Sequence, residues 1–563
     1  MRHFFQISFL AFFLFSIGFV SAQNAEHYLK ERGEVYFSFN LRADIDFVEQ
    51  IETISKIISI DDVKDGEVHA YANAKEFKQF ELLEYTAKIL TPPSLLLSKE
   101  ELVSNRAIAN WDYYPTYQEY LGIMQQFAID YPELCEVVDI GSTEEGRDLL
   151  FIHINDNLGI EQEEPEFMYT SSMHGDEITG YVLMLRLIEY LLENYGVDAQ
   201  ATNLVNSIDI WINPLANPDG TYAGGENTVS GATRYNANFV NLNRNYPDPE
   251  DGPHPDGNAY QAETIAFMDF AEDHHFTMSM NFHGGAEVVN YPWDTWSRLA
   301  ADDNWWVYVS RQYADVVHEN SPAGYFGGFD NGITNGYDWY TIAGGRQDYM
   351  NYENNCREVT LEISDIKLPP PSELPEFWEY NYRSLLNYME QSLYGIRGLI
   401  TDEQTGLAVA AEVFIVDHDE DNSQVYSSLP VGDYNRLIYE GVYSVTYSAE
   451  GYISKVVNDI NVVNDNATFV NVQLTPIVEG LNEEELLAEK ILIYPNPTKD
   501  QVNILLPKQA KSIIISNLSG QTIFRTSPDK LRIQIDVDSF PKGIYLLSFK
   551  FENATVFKKV VIQ

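Results

Sequence analysis

His174 and Glu177 form the first residue pattern that could perform chemistry, because an imidazole and a carboxylate stand three residues apart. They follow Phe167 to Ser171, which reads as a strand, and they precede a segment with helical spacing. Side chains at such a corner can turn toward one point, and zinc accepts both imidazole nitrogen and carboxylate oxygen. Alone, an H-x-x-E pair is a weak signal, because such pairs arise by chance and are more often two unrelated surface side chains, so a third ligand decides the interpretation.

His283 is the candidate for that third ligand. It closes the apolar run Met278 to Phe282, and two glycines after it let the backbone come close to a bound group. The three side chains would then lie at strand ends on one rim, where open α/β sheets place their sites. Catalytic zinc takes three protein ligands and keeps one open position, which predicts one Zn²⁺ per catalytic domain, held by His174, Glu177 and His283.

The region from residue 110 to 394, which contains these side chains, alternates strands with long helices. Its strands are predicted at Leu149 to Ile154, Phe167 to Ser171 and Ile208 to Ile212, and an amphipathic helix at Ile178 to Asn194. This alternation predicts an α/β catalytic domain with a mixed central sheet flanked by helices. A chain of 563 residues is too long for one hydrophobic core, so we expect further domains.

Three folded regions are predicted around the catalytic domain. Residues 23–105 have the pattern of a small α+β unit, which fits either a pro-segment or an ordinary accessory domain. Residues 395–476 and 490–563 are predicted to be two all-β modules, because short β-rich runs alternate with Gly, Asp and Asn turns. An acidic linker over residues 477–489 joins these two modules.

The N-terminus and the composition point to an exported protein. Residues 1–22 read as a signal peptide, with Arg2 and His3 before an apolar run and Ala22-Gln23 as the expected cleavage site. The formal charge is −50, which disfavours nucleic acid and favours cationic partners, although acidic surfaces also serve solubility. Cys135 and Cys356 are the only cysteines, too few for a disulfide framework or a thiolate metal site, and their pairing is left open.

Four motifs in order resemble the M14 zinc carboxypeptidases, in particular the regulatory branch of the carboxypeptidase N, E and D type. The resemblance covers Trp111 to Leu393 and continues into the β module after it. Besides the His174 motif, the matching segments are Asn236 to Asp248 (NANFVNLNRNYPD), His283 to Asp294 (HGGAEVVNYPWD) and Gly344 to Glu362 (GGRQDYMNYENNCREVTLE). The resemblance implies a metallo-carboxypeptidase acting on the C-termini of peptides and proteins.

The resemblance also implies roles for individual residues. Glu362 is similar to the general base that deprotonates the metal-bound water, and Arg234 to the arginine that stabilises the oxyanion. Asn243 and Arg244 resemble the pair that grips the terminal carboxylate of the substrate, since a planar guanidinium suits a forked contact. Tyr340 resembles the mobile tyrosine that closes over the substrate.

Specificity follows from the same motifs. Asp294 resembles the acidic residue with which this branch binds a basic P1′ side chain, and Gln347 lines the same pocket, which predicts a preference for C-terminal Lys or Arg. Two residues depart from the pattern. Arg346 stands where Met is usual and would bring a positive charge near the pocket, or else point to solvent. Asn241 stands where Asp is usual.

The two C-terminal modules carry resemblances of their own. Residues 395–476 resemble the transthyretin-like β-sandwich of the same branch, through Gly432 to Leu437, Gly441-Val442-Tyr443 and Ala449 to Tyr452. Residues 490–563 resemble the type A sorting domain of the type IX secretion system, through Tyr494 to Pro497, Gly543-Ile544-Tyr545 and Lys558 to Val561. This implies export by that machinery, to the medium or the cell surface of a Bacteroidetes-type bacterium.

Two other functions fit parts of the sequence. One is an M14-type amidase on cell-wall or other non-ribosomal amides, against which the intact Asn243-Arg244 pair and Asp294 argue. The other is a catalytically inactive binding or adhesion protein, which would require a lost ligand or base, whereas every one is present. We further expect the protein to be a monomer.

Overall fold

The computed structural model describes residues 25–98, 102, 111–477, 483–552 and 554–563. The predicted signal peptide over residues 1–22 lies outside these ranges. Within them, no helix combines the length and the apolar character needed to cross a membrane. The described chain forms an N-terminal α+β unit, an α/β domain and two β modules, in agreement with the predicted fold class.

The N-terminal unit is a four-stranded antiparallel sheet in the order β2-β3-β1-β4, preceded by a helical segment over residues 25–32. Its elements are β1 (Glu34–Asn40), α1 (Phe47–Ser55), β2 (Ser59–Lys64), β3 (Glu67–Asn73), α2 (Ala74–Glu81) and β4 (Lys88–Ile89). The aromatic side chains of Phe37, Phe39, Phe77 and Phe80 fill its core. The apolar patterns of the sequence predict strands at Glu34 to Leu41 and around Glu67 to Ala72, and helices at Asp46 to Ile58 and around Lys75 to Tyr85, which correspond to β1, β3, α1 and α2. They do not predict β2, whose sequence SIDDVK lacks the apolar alternation of a strand.

The central domain is built on an eight-stranded mixed sheet in the order β11-β10-β12-β9-β7-β8-β6-β5. Its strands are β5 (Cys135–Ser142), β6 (Asp148–Ile154), β7 (Glu166–Ser171), β8 (Asp209–Asn213), β9 (Phe276–His283), β10 (Ala286–Tyr291), β11 (Ile333–Asn335) and β12 (Arg357–Ser364). Its helices are α3 (Tyr117–Asp130), α4 (Thr179–Asn194), α5 (Ala199–Val205), α6 (Pro218–Thr221), α7 (Ala262–Glu272), α8 (Asp303–Asn320), α9 (Gly336–Trp339), α10 (Arg346–Tyr352) and α11 (Leu374–Glu390).

Strands β7, β9 and β12 are neighbours and run parallel, so their carboxyl ends meet at one edge of the sheet. They are almost entirely buried on both faces because helices cover the sheet, and α4 buries most of its length against it. The edge at which β7, β9 and β12 end carries the predicted site residues.

Two β modules complete the chain. The first is a sandwich of β13 (Gly395–Asp402), β14 (Glu412–Ile415), β15 (Val425–Tyr426), β16 (Asp433–Arg436), β17 (Gly441–Ser448), β18 (Tyr452–Ile453), β19 (Lys455–Val462), β20 (Ala467–Phe469) and β21 (Val472–Pro476). The last contains α12 (Glu483–Lys490), β22 (Leu492–Tyr494), β23 (Gln501–Leu505), β24 (Ser512–Asn517), β25 (Thr522–Thr526), β26 (Arg532–Asp536), β27 (Gly543–Lys550) and β28 (Thr555–Ile562). Helix α12 overlaps the segment predicted as a linker, residues 477–489, and its Leu487 packs into the core of the last module.

A buried ion network joins the sandwich to the α/β domain. Asp302 accepts from Arg357 of its own domain at 2.7 Å and from Arg436 of the sandwich at 2.9 Å. Asp419 of the sandwich pairs with the same Arg436, and His418 contacts Asp302 at 2.8 Å. Burial acts to raise the pKa of Asp302, but the two arginines hold it well below its usual value. Buried charges need such complete pairing, so the sandwich is fixed to the domain that carries the site.

The two cysteines do not pair. Cys135 and Cys356 are both free and buried, and they lie in different hydrophobic clusters. Burial raises the pKa of the Cys135 thiol to about 12, so this side chain behaves as a small apolar group.

Candidate active site

His174, Glu177 and His283 come together at the carboxyl edge of the sheet, as their sequence positions predict. His174 Nδ1 lies 2.9 Å from Glu177 Oε2, and His283 Nδ1 lies 2.8 Å from the same oxygen. The two imidazole Nδ1 atoms are 3.0 Å apart. All three side chains are buried, and together they offer three donor atoms that face one point.

The two imidazoles are held neutral, which is the protonation state in which histidine binds a metal. Burial lowers the pKa of both His174 and His283, which keeps both rings neutral. The Nε2 of His174 donates to Asn241 Oδ1 at 3.0 Å, which leaves its Nδ1 lone pair free to face the cluster. Asn241 therefore supplies the acceptor at the position where the resemblance leads one to expect Asp.

The donor set fits zinc. Two imidazole nitrogens and one carboxylate oxygen are a typical set of protein ligands in a catalytic zinc site. With bonds of about 2.0–2.1 Å, tetrahedral ligand atoms would stand roughly 3.3 Å apart, close to the spacing of these three atoms. The residues present are thus compatible with the metal that the sequence predicts.

The second oxygen of Glu177 faces two buried cations. Arg234 Nη1 and Lys367 Nζ each lie 2.5 Å from Glu177 Oε1. Burial acts to raise the pKa of Glu177, but His174, Lys367 and Arg234 outweigh it and hold this pKa well below its usual value. Sequence reasoning missed Lys367. Its position five residues after Glu362, just past the end of β12, was the feature of the sequence that could have indicated a place in the site.

Glu362 stands beside the cluster on β12, directly opposite His283 of β9 in the sheet register. It is 9% exposed, and its Oε2 has no hydrogen-bond partner among the described residues. Burial and the nearby charge of Glu177 raise its pKa well above the usual value. A carboxylate that is buried, basic and unpaired is suited to accept a proton.

Asn243 and Arg244 lie on a single 3₁₀ turn, Leu242–Arg244, which places both side chains near the cluster. Arg244 is 8% exposed and donates through Nη1 to the Asn243 carbonyl oxygen at 2.6 Å. Its Nε and Nη2 have no partner within the part of the chain that the structure describes. A buried guanidinium with two unused donors is prepared to bind an anion.

These groups line one small cavity of about 30 Å³. Its walls are His174, Arg234, Asn243, Arg244, His283, Asn290, Asp294, Trp339, Tyr340, Ile342, Thr360 and Glu362. Among the predicted site residues, Glu177 and Gln347 contact members of this set without lining the cavity themselves. The structure therefore brings together the residues that the motifs single out.

Asp294 is one of the residues that line the cavity. Its Oδ1 accepts from Asn290 Nδ2 at 3.0 Å and from Gln347 Nε2 at 3.2 Å. A Cβ on Gly336 would lie 1.8 Å from this oxygen, so only glycine fits there. Burial raises the pKa of Asp294 to about 6. The carboxylate is thus held in a fixed orientation.

The structure corrects the expectation for Arg346. This residue is buried and neither points to solvent nor lines the cavity. Its Nη2 pairs with Glu358 at 3.2 Å and its Nη1 donates to Thr170 at 2.8 Å. The packing of α10 on β12 directs the side chain into the core, where Glu358 offsets its charge.

Residues of the N-terminal unit also reach this site. Asp61 Oδ1 lies 2.5 Å from Lys367 Nζ and 3.4 Å from Arg234 Nη1. Ser59 Oγ accepts from Arg234 Nε at 2.9 Å and from Asn241 Nδ2 at 2.8 Å. Sequence reasoning missed both residues, because β2, which carries them, has no strand-like pattern.

Comparison with known proteins agrees with this geometry. Residues 120–384 match the family described as zinc carboxypeptidase, and residues 492–563 match the secretion system C-terminal sorting domain. Carboxypeptidase D of Mus musculus is 37% identical over 381 residues, which cover 64% of this chain and 27% of that protein. The carboxypeptidase N catalytic chain of Homo sapiens is 34% identical over 381 residues, covering 61% of this chain and 81% of that one.

A solved structure shares the fold. The carboxypeptidase A of Helicoverpa armigera superimposes with a TM-score of 0.51 at 19% sequence identity, covering 64% of this chain and 98% of that chain. The identity is low, so this likeness concerns the fold alone. The chain spans about a quarter of the length of the carboxypeptidase D relatives that it matches, as the 27% coverage of the mouse protein indicates.

Proposed function

The chain belongs to the M14 family of zinc carboxypeptidases, and on that premise we propose that it removes C-terminal residues from peptides and proteins, with a preference for Lys or Arg. The observation that carries this proposal is the buried guanidinium of Arg244. Its Nε and Nη2 have no hydrogen-bond partner among the described residues, and Arg244 lines the cavity that Glu362 and Asp294 also line. A site built around an unpaired arginine recognises a terminal carboxylate, which an internal peptide bond does not offer.

His174, Glu177 and His283 are the residues that would hold the zinc ion. When bound, zinc lowers the pKa of a coordinated water and polarises the scissile carbonyl. Glu362 accepts the proton of the attacking water and returns it to the leaving amine. Arg234 donates to the oxyanion that develops on the carbonyl oxygen. Asn243 and Arg244 bind the terminal carboxylate.

Tyr340 and Asp294 complete the contacts with substrate. The phenol of Tyr340 lines the cavity from the segment that follows α9, where it can close over the terminal residue. Asp294 receives a Lys or Arg side chain through its carboxylate, and Gln347 orients that carboxylate. The net charge of −50 would also raise the encounter rate with cationic peptides.

The proposed location of the protein rests on the match of its C-terminal residues to a sorting domain. A secretion sorting domain at residues 492–563 supports export through type IX secretion machinery. We infer delivery to the medium or the cell surface of a Bacteroidetes-type bacterium. In that setting the enzyme would act as a monomer on peptide and protein C-termini.

Asp294→Asn tests the substrate preference. The variant keeps the shape and hydrogen bonds of the side chain but removes its charge, so kcat/KM for a peptide ending in Arg should fall by roughly 10²-fold. The value for the matched peptide ending in Phe should stay within about threefold. The ratio of the two values is compared between variant and wild type, because this ratio does not depend on the fraction of active enzyme. An unchanged ratio would remove Asp294 from the specificity pocket.

The same preference should depend on pH. The pKa of Asp294 is raised to about 6 by burial, so the carboxyl is charged above that pH and neutral below it. Between pH 7 and pH 5 the charged fraction falls by about tenfold, and the Arg-to-Phe ratio of kcat/KM should fall with it. Asp294→Asn serves as the control, since its ratio should be flat over this range. A wild-type ratio that is flat as well would speak against a titrating carboxylate in the pocket.

A further inference from the structure

We propose that Asp348 is a positioning residue for substrate specificity, which holds the main chain of Asp294 at a set distance from Asn243. The proposal rests on the proposed function of the site, in which Asn243 binds the terminal carboxylate of the substrate and Asp294 its basic side chain. Three observations carry it: the hydrogen bonds of Asp348, its place in helix α10, and the other contacts of the same helical turn.

The Asp348 carboxylate is directed at the segment that carries Asp294. Its Oδ1 and Oδ2 each accept from the main-chain N–H of Asp294 at 3.1 Å, and Oδ2 also accepts from the N–H of Thr295 at 2.8 Å. Asp348 is 1% exposed, so water does not compete for these bonds. Hydrogen bonds to two consecutive N–H groups leave the main chain at Asp294 little freedom to move.

The place of Asp348 in its helix makes this orientation informative. It is the third residue of α10, after the N-cap residue Gly345, and an acidic side chain at this position ordinarily reaches back to cap its own helix. Helix α10 has no side-chain cap, and Asp348 bonds instead to residues that lie 54 and 53 positions earlier in the chain. The carboxylate thus serves the substrate pocket and not the end of its own helix.

The same helical turn contacts both ends of the substrate-binding region. The N–H of Arg346 donates to Asn243 Oδ1 at 2.9 Å, and Gln347 Nε2 donates to Asp294 Oδ1 at 3.2 Å. Three successive residues of α10 therefore hold Asn243, the Asp294 side chain and the Asp294 main chain. Because a helical turn is rigid, it sets the spacing between the group that binds the terminal carboxylate and the group that binds the side chain.

Asp248 joins this turn to the rest of the site. Its Oδ2 accepts from the N–H of Gly344 at 3.0 Å, and its Oδ1 accepts from the Thr295 hydroxyl at 3.3 Å. A Cβ on Gly344, whose φ is +72°, would lie 2.5 Å from the carbonyl oxygen of Arg244, so the residues that lead into α10 pack directly against the turn of Arg244. The segments that bind the two ends of the substrate are thereby connected through Asp248 and α10.

A displaced Asp294 would affect one class of substrate. A C-terminal Lys or Arg must bring its side-chain charge to Asp294 while its carboxylate stays at Asn243 and Arg244, so both contacts have to fit one spacing. A C-terminal Phe has no charge to place and does not depend on that spacing. Since misplacement by about 1 Å can cost roughly 10²-fold, the loss of Asp348 should be expressed in the binding of basic substrates.

The test compares Asp348→Asn with wild type and with Asn351→Ala, each as the full-length chain with zinc bound. Asp348→Asn places an amide NH2 where an oxygen accepted from main-chain N–H groups, and it leaves the metal cluster and Glu362 unchanged. We expect KM for a peptide ending in Arg to rise by about tenfold with kcat within about twofold, which is the pattern of lost substrate binding. For a matched peptide ending in Phe, both values should stay within about twofold of wild type.

Asn351→Ala controls for a general effect on the helix. Asn351 lies on α10, is also buried, and donates through Nδ2 to the carbonyl oxygens of Gln347 and Glu358 at 2.9 Å each. Its replacement removes two hydrogen bonds of the same helix but none to Asp294 or Thr295. The melting temperature should fall in both variants, whereas KM for the Arg peptide should rise only in Asp348→Asn.

A second measurement does not depend on turnover. Calorimetric binding of a non-hydrolysable phosphonate analogue ending in Arg should weaken by about tenfold in Asp348→Asn, while binding of the analogue ending in Phe stays unchanged. Should Asp348→Asn not fold, Thr295→Val, which removes only the hydroxyl contact with Asp248, is expected to raise KM for the Arg peptide by about two- to threefold. An unchanged KM in Thr295→Val would then count against the positioning role.

The outcomes separate this inference from the proposed function. If wild type prefers Arg, an unchanged KM in Asp348→Asn or an equal rise in Asn351→Ala overturns the positioning role and leaves the carboxypeptidase intact. A wild type that hydrolyses peptides without preferring Lys or Arg overturns the basic pocket and the positioning role with it. No turnover of any C-terminal residue, even with zinc added, overturns the carboxypeptidase and everything that rests on it.

Discussion

Replacement of Glu362 by Gln is expected to lower kcat on a peptide ending in Arg by about 10²- to 10⁴-fold, the range ascribed to a positioned general base. Gln keeps the size of the side chain but cannot accept the proton of the attacking water. Because Glu362 is not one of the three residues of the metal cluster, zinc content should remain one per chain. Steady-state kinetics together with metal analysis of the same preparation measure both quantities.

Glu358→Gln provides the matched control. Glu358 is the other glutamate of β12, lies on the same face and is also buried, but it pairs with Arg346 and not with the cavity. Its replacement should lower the melting temperature, because Arg346 is left buried without its counter-charge, while kcat stays within a few-fold. If Glu362→Gln retained wild-type kcat, the base would have to be another group.

Removal of zinc is expected to reduce hydrolysis by roughly 10³-fold or more, since a metal supplies several kcal/mol of transition-state stabilisation. Adding back one equivalent of zinc should restore activity. Zinc should also raise the melting temperature, because ligand at about 1,000 times its Kd stabilises the folded state by about 4 kcal/mol. Chelator titration, metal analysis and thermal unfolding of one preparation test these expectations.

His283→Ala and His153→Gln distinguish the metal site from other histidine clusters. His283 offers one of the three facing donor atoms, so its loss should abolish both activity and the thermal shift on zinc addition. His153 is also buried and paired with carboxylates, Asp209 at 2.6 Å and Glu136 at 3.1 Å. It lies on β6, which is separated by β8 and β7 from the strand that carries His283. His153→Gln should bind zinc as wild type does. A zinc stoichiometry that depended on His153 and not on His283 would relocate the metal.

The sequence by itself was enough to locate the candidate site. His174 and Glu177 share one strand-to-helix corner, and Asn243 and Arg244 share one turn. His283 ends β9, and Glu362 lies two residues before the end of β12. Each group is a local pattern, and parallel strands bring their carboxyl ends to one edge. Motif and period were therefore enough to predict the α/β fold and the meeting of His174, Glu177 and His283. The cavity residues Arg234, Asn243, Arg244, Asp294, Tyr340 and Glu362 were predicted only from the family resemblance.

Only the tertiary structure decided how the site is covered and supported. The strand with Ser59 and Asp61 has a polar sequence, because its buried partners lie in another domain and not in its own core. Lys367 is buried against carboxylates from two units, and Arg346 turns into the core toward Glu358. Such pairings join residues that lie far apart in the chain. The spacing of apolar residues shows only which face of a helix or strand packs against a core. It cannot reveal the distant residue that pairs with a buried charge.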